Sequence, residues 1–193
     1  TDDTALLGVI SFGSTAHVTI PLSRLSDITA VPQLQPLGGT EYGAAWRAYD
    51  QAVRADTAQI KLQNGSFHRP CVFFLTDGEP HDLATFRDVF LSTQGKEAFK
   101  AWPYVIAYGF RKARPEVLKE LAYPNFGEKL GEYFLLRDSD PQAVIEQVKG
   151  LVNQTVLRAT SANAQGKPDL RAARPAPEQN IERGTTDSVD ETF

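Results

Sequence analysis

Apolar residues along the chain fall into two kinds of run, short and unbroken or long and periodic, and these alternate. Leu6–Phe12, LLGVISF, is short and rich in strand formers. Gly13 and Ser14 supply a turn, and residues 17–22, HVTIPL, alternate as a half-exposed strand does, so the two predict a hairpin. Pro21 suits an edge strand, because it has no N–H to give to a ladder. Residues 25–34 read as a short helix or a loop. Beyond Gly38-Gly39-Thr40, the residues Tyr42, Ala45, Trp46, Tyr49 and Val53 recur at helical spacing, with Thr40 where an N-cap belongs. Residues 72–75 form an unbroken apolar run, which predicts a central strand covered on both faces. Residues 83–99 predict a helix and residues 103–110 a second buried strand. Residues 115–122 predict a short helix with proline in its first turn. A strand over 133–136 and a closing helix from 141 to about 160 complete the pattern.

Strands that alternate with helices give an α/β fold with a mostly parallel sheet flanked by helices. Residues 1–160 are expected to form that domain. After Ser161 the composition changes: Pro168, Pro175 and Pro177 appear among scattered charges with few large apolar residues. Residues 161–193 are therefore expected to be a disordered tail, or one ordered by a partner.

Composition narrows the function classes. The 193 residues suffice for one domain with a sizeable core, and 41% hydrophobic and 23% charged residues are ordinary values. A net charge of −4 argues against a nucleic-acid partner bound through phosphate neutralisation. A single cysteine excludes an internal disulfide and Cys-rich zinc sites, and it fits a reducing compartment. No run approaches the roughly 18 apolar residues of a membrane span, and no signal peptide is visible, so no membrane partner is expected.

The chemistry concentrates in CVFFLTDGEPHD, Cys71 to Asp82. Ligands of parallel sheets bind outside the carboxyl ends of the strands, and Asp77, Glu79 and Asp82 follow such a strand directly. Carboxylates and the Thr40 hydroxyl are hard oxygen donors of the kind a magnesium-type ion prefers. The plainer reading is that Asp-Gly-Glu-Pro is a turn and Asp77 caps the next helix. His81 is then a loop residue. Arg111, Lys112 and Arg114 form a solvated loop, or contact an acidic or phosphorylated partner. Cys71 reads as a buried structural thiol. Gly38-Gly39-Thr40 resembles a minimal phosphate cradle, but no Gly-Lys-Ser/Thr or G-x-G-x-x-G accompanies it.

A GGT loop opening a helix, followed by an apolar strand ending in LTDGEP, resembles the von Willebrand factor A domain, especially bacterial versions of the tellurium-resistance TerY type. SFGSTAHVTIPL is similar to that family's second and third strands, and the resemblance covers roughly residues 5 to 158. It implies a Rossmann-like three-layer α/β fold with one antiparallel edge strand. It also implies a metal-ion-dependent adhesion site, where Mg2+ (or Mn2+ or Ca2+) is held by an Asp-x-Ser-x-Ser motif, a threonine and a second aspartate. Thr40 and Asp77 take the last two places, and Gly39, Glu79, His81 and Asp82 stand as outer-shell or partner-binding residues. Such a domain is a cytoplasmic protein–protein interaction module and not an enzyme, and its partner supplies a carboxylate to the metal. The setting it implies is tellurite or stress response, or phosphosignalling.

Asp-x-Ser-x-Ser does not occur in the chain. The first strand and first helix of the family are therefore expected to be missing and the fold N-terminally incomplete. Metal binding is expected to be weak or absent in this chain and complete in a parent protein. The end of the tail, RGTTDSVDETF, carries Thr185, Thr186, Ser188 and Thr192 among acids; it reads as a plain disordered terminus, or as an accessible segment with Thr185 and Thr186 as candidate phosphorylation sites and a kinase, phosphatase or forkhead-associated domain protein as partner. The alternative class is a metal-dependent hydrolase or phosphotransferase using Asp77, Glu79 and Asp82, with His81 as the nearby base. A third reading is a metal-independent scaffold in which the aspartate turn is structural.

Overall fold

The computed structural model describes residues 5–30, 38–127, 130–137, 140–160 and 181–187. The chain divides into two compact units, one from residues 1–68 with 80–102, the other from 69–79 with 103–193.

The first unit begins with strands β1 (Leu6–Phe12) and β2 (Ala16–Arg24), an antiparallel pair that runs from Phe12 opposite Ala16 to Leu6 opposite Arg24. A short 3-10 turn, Leu25–Asp27, follows. Helix α1 (Tyr42–Leu62) buries the stripe Tyr42, Ala45, Trp46 and Val53, as its spacing predicts. That stripe meets α2 (Phe86–Gln94): Tyr42 and Phe86 pack edge to face at 5.2 Å, and Trp46 lies 4.6 Å from Phe90. Phe12 of β1 reaches Tyr42 at 5.9 Å. Helix α1 stops where Asn64 turns left-handed, with φ of 56°. The Asn64 N–H then donates to the Lys61 carbonyl at 3.0 Å and the Gly65 N–H to that of Ile60 at 2.9 Å, which satisfies carbonyls the helix leaves open.

The second unit is a sheet in the order β3 (Cys71–Thr76), β4 (Tyr104–Phe110), β5 (Glu132–Leu136), β6 (Ile181–Thr185). The first three strands are parallel, and β6 is antiparallel to β5. Helices α3 (Pro115–Leu121) and α4 (Pro141–Thr160) cover opposite faces. Tyr104, Ile106, Tyr108, Phe134 and Leu136 form an apolar cluster with Val148 and Leu151 of α4. On the other face, Gly109 leaves the space that Leu118 of α3 fills. Among the described residues, no helix is long and apolar enough to cross a membrane.

Three expectations change. Strand β3 is not central: among the described residues it pairs with β4 alone, and Leu75 is exposed. Unbroken apolarity reports cover on the faces of a strand, not the number of its hydrogen-bonded neighbours, and the fully covered centre is β4. The β1–β2 pair forms a sheet of its own, so the antiparallel edge of the larger sheet comes from β6 instead. That strand lies inside the stretch expected to be disordered. Residues 161–180 and 188–193 of that stretch, and residues 31–37 of the predicted helix or loop, lie outside the described residues.

Candidate functional site

Part of the sequence-predicted site belongs to the first unit. Gly39, Thr40 and Glu41 lead into α1, and residues 81 and 82 come back to meet them. The His81 N–H donates to the Thr40 carbonyl at 2.7 Å. The His81 ring lies over Gly39, where a Cβ would stand only 2.8 Å away. Its Nδ1 is 3.9 Å from Glu41 Oε1.

Asp82 caps helix α1. The Tyr42 N–H donates to Asp82 Oδ1 at 2.9 Å, and the Gly43 N–H donates to Oδ2 at 2.6 Å. Helix α1 has no acid in its own first turn, and its N-cap is Glu41, not Thr40, with no side-chain cap of its own. Asp82 therefore places the missing anion at the positive end of the helix from 39 and 40 residues away. Gly43 permits this, since a Cβ there would lie 2.7 Å from Asp82 Oδ2. With one N–H on each oxygen, Asp82 caps the helix.

Asp77 and Glu79 belong to the second unit. Asp77 follows β3 directly, and the Gly78 N–H closes the turn onto Thr76 Oγ1 at 3.4 Å. Thr76 is opposite Gly109 in the parallel register, so the turns after β3 and β4 lie side by side. The Lys112 N–H donates to the Asp77 carbonyl at 3.0 Å. Arg111 Nη1 stands 3.3 Å from Asp77 Oδ2, and Arg114 Nε stands 2.7 Å from Glu79 Oε1. The arginines that the sequence offered to an acidic partner thus meet the chain's own acids. Both pairs are open to water: the Arg111 and Asp77 side chains are 60% and 53% exposed.

This geometry sorts the hard oxygen donors by their fit to a divalent cation. Asp77 fits, because an exposed guanidinium is a replaceable companion. Thr40 fits by its chemistry. Glu79 is drawn to Arg114, and Asp82 to the start of α1. Among the described residues, no three His, Cys, Asp or Glu side chains gather into a metal-holding group.

The two tail threonines differ. Thr185 is exposed. Thr186 is buried, its hydroxyl donating to the Pro124 carbonyl at 2.8 Å and its N–H to that of Gly131 at 3.0 Å. A kinase has no access to Thr186 while β6 is in place. Ser188 and Thr192 lie outside the described residues.

Sequence reasoning also missed a buried carboxylate. Glu132 opens β5, is almost fully covered, and forms an ion pair with Arg183 of β6. The Tyr104 hydroxyl stands 3.4 Å from its Oε2. Burial pushes the neighbouring Cys71 thiol up to about 12, and the Glu132 charge adds to this, which leaves Cys71 a protonated, unreactive thiol at neutral pH. Burial, and next the Glu132 charge, likewise raises the Tyr104 phenol. The available signal was one acid at the head of the otherwise apolar run EYFLL.

No protein-family model and no curated protein matches the chain.

Proposed function

We propose that the chain is a von Willebrand factor A-like module, a Rossmann-like α/β fold in three layers. In this reading it binds another protein through a magnesium-type cation at Thr40 and Asp77, with Gly39, Glu79, His81 and Asp82 around the contact. One observation carries the reading: LTDGEP puts Asp77 just past the carboxyl end of a parallel strand, in a chain whose GGT stands immediately ahead of α1. Magnesium takes few protein ligands and keeps several waters, so a hydroxyl and a carboxylate leave positions that a partner's carboxylate can enter. A bacterial, cytoplasmic, tellurite- or stress-response setting belongs to the same reading, as does a kinase, phosphatase or forkhead-associated domain protein as partner. These rest on the sequence resemblance alone.

The test is a manganese titration of the chain followed by electron paramagnetic resonance, with magnesium as competitor. Weak, saturable binding that magnesium displaces is expected, with loss of binding in both Asp77→Ala and Thr40→Ala. Binding that neither substitution changes would overturn the assignment of these two residues.

A further inference from the structure

The segment Ile181–Asp187, IERGTTD, lies along β5 as a peptide lies in a reading groove, and each of its residues but one meets a specific feature. Ile181 packs against the apolar cluster that holds Phe134 and Leu136. Two positions on, and on the same face by strand alternation, Arg183 pairs with the buried Glu132 carboxylate. Gly184 sits opposite Tyr133, where any Cβ would run into the phenol ring. Thr186 gives its hydroxyl to the Pro124 carbonyl and its N–H to the Gly131 carbonyl. The outward positions are less demanding: Glu182 meets Arg137 at 2.8 Å and Asp187 meets Lys119, all four side chains exposed to water. The edge of β5 thus selects at four positions by four different chemistries: apolar contact, charge, absence of a side chain, and a paired hydroxyl and amide.

We infer that this edge is a docking groove for an extended peptide of pattern apolar-x-Arg-Gly-x-Thr, occupied in this chain by its own residues 181–187. A partner protein displaying that pattern displaces the resident strand and adds its own to the sheet. Main-chain pairing to an exposed sheet edge supplies affinity without sequence preference, and the alternate side chains supply the choice. Glu132 sets the sign of the charge, since a buried carboxylate needs a cation whether it comes from Arg183 or from a partner. Tyr133 sets the size limit. The resident strand is joined to its own groove, so a free ligand competes against a high effective concentration. Exchange is therefore the condition for binding, and substitutions that loosen β6 open the groove.

The test uses the full chain and a fluorescein-labelled peptide of residues 181–187, read by fluorescence polarisation in the presence of a metal chelator. That condition separates it from the cation reading above. Arg183→Glu sets a second negative charge against Glu132 and expels the resident strand. The Arg183→Glu chain is expected to bind the labelled peptide at least tenfold more tightly than the unsubstituted chain. The same peptide carrying Gly184→Val is expected to lose at least tenfold. Equal binding by both chains, or equal binding of both peptides, would overturn the groove. So would loss of the far-ultraviolet circular dichroism of the Arg183→Glu chain, since β6 would then be integral to the fold. If the unsubstituted chain dimerises in light scattering and Arg183→Glu abolishes it, the occupant is a second copy and the assignment to a partner's peptide fails.

Discussion

Two kinds of carboxylate–guanidinium pair stand in the second unit. Asp77–Arg111 and Glu79–Arg114 join half-exposed side chains on the turns that follow β3 and β4. Glu132–Arg183 joins a carboxylate with 4% of its side chain exposed to the strand beside it. An exposed pair contributes about 0–1 kcal/mol, and water or a passing ion replaces either member at little cost. A buried carboxylate stripped of its cation is another matter, because its charge is left buried and uncompensated. The same two residue types thus form an easily exchanged pair in one place and a firmly held one in another. Burial decides which.

The largest effect should come from breaking the buried pair. Removing one member of such a pair costs roughly 3–5 kcal/mol if the charge stays buried. If β6 exchanges as inferred above, water reaches Glu132 when the strand lifts away, so the loss should appear locally. Arg183→Ala is expected to lower hydrogen-exchange protection of the β6 amides by more than about a hundredfold, equivalent to nearly 3 kcal/mol. The amides of β4 should keep theirs. Pairing Arg183→Leu with Glu132→Leu should restore much of the protection, since apolar side chains of similar volume replace a buried pair well. A loss below tenfold for Arg183→Ala would make the buried pair no different from the surface ones.

An intermediate effect belongs to Asp82 in the first unit. Asp82→Ala strips the Tyr42 and Gly43 N–H groups of their acceptor and removes the negative charge from the start of α1. The expected loss is about 1–2 kcal/mol in urea unfolding, and Asp82→Asn should recover part of it by keeping one acceptor oxygen. If Asp82→Ala left stability unchanged and abolished manganese binding, Asp82 would be a cation ligand and not a cap.

Asp82 also marks the limit of what the sequence could show. Elements with their own periodicity were legible: β1 from LLGVISF, α1 from Tyr42, Ala45, Trp46 and Val53, and α3 from its leading Pro115. What depended on partners distant in sequence was not. The cap of α1 lies about 40 residues downstream, and no local pattern connects PHD to the start of that helix. The place of β3 at a sheet edge is a property of its neighbours, and the run CVFFLT reads alike at an edge or in a centre. Strand β6 is five residues long and two of them are charged, so its apolar pattern is too short to register. Its specifying contacts, Arg183 with Glu132 and Gly184 with Tyr133, exist only once β5 is beside it. For the candidate site, the two turns could be found from LTDGEP and RKAR, but their pairing needed the register of β3 against β4.

The smallest stability effect, and the sharpest use of the comparison, concerns Asp77 and Arg111. Their side chains are exposed and 3.3 Å apart, so Arg111→Ala should move the unfolding free energy by no more than about 0.5 kcal/mol, and less in high salt. Arg111 also holds a left-handed backbone, with φ of 54°, which glycine adopts without strain. Arg111→Gly removes the same charge and is expected to be neutral or slightly stabilising. Cation binding should respond in the opposite sense to Asp77→Ala. With the guanidinium gone, Asp77 has no positive neighbour to give up, so both Arg111 variants should bind manganese several-fold more tightly while their unfolding curves stay in place. Tighter binding without a change in stability is the signature of an exchangeable pair. If Arg111→Gly instead cost as much as Arg183→Ala, exposure would not be what separates the two kinds of pair.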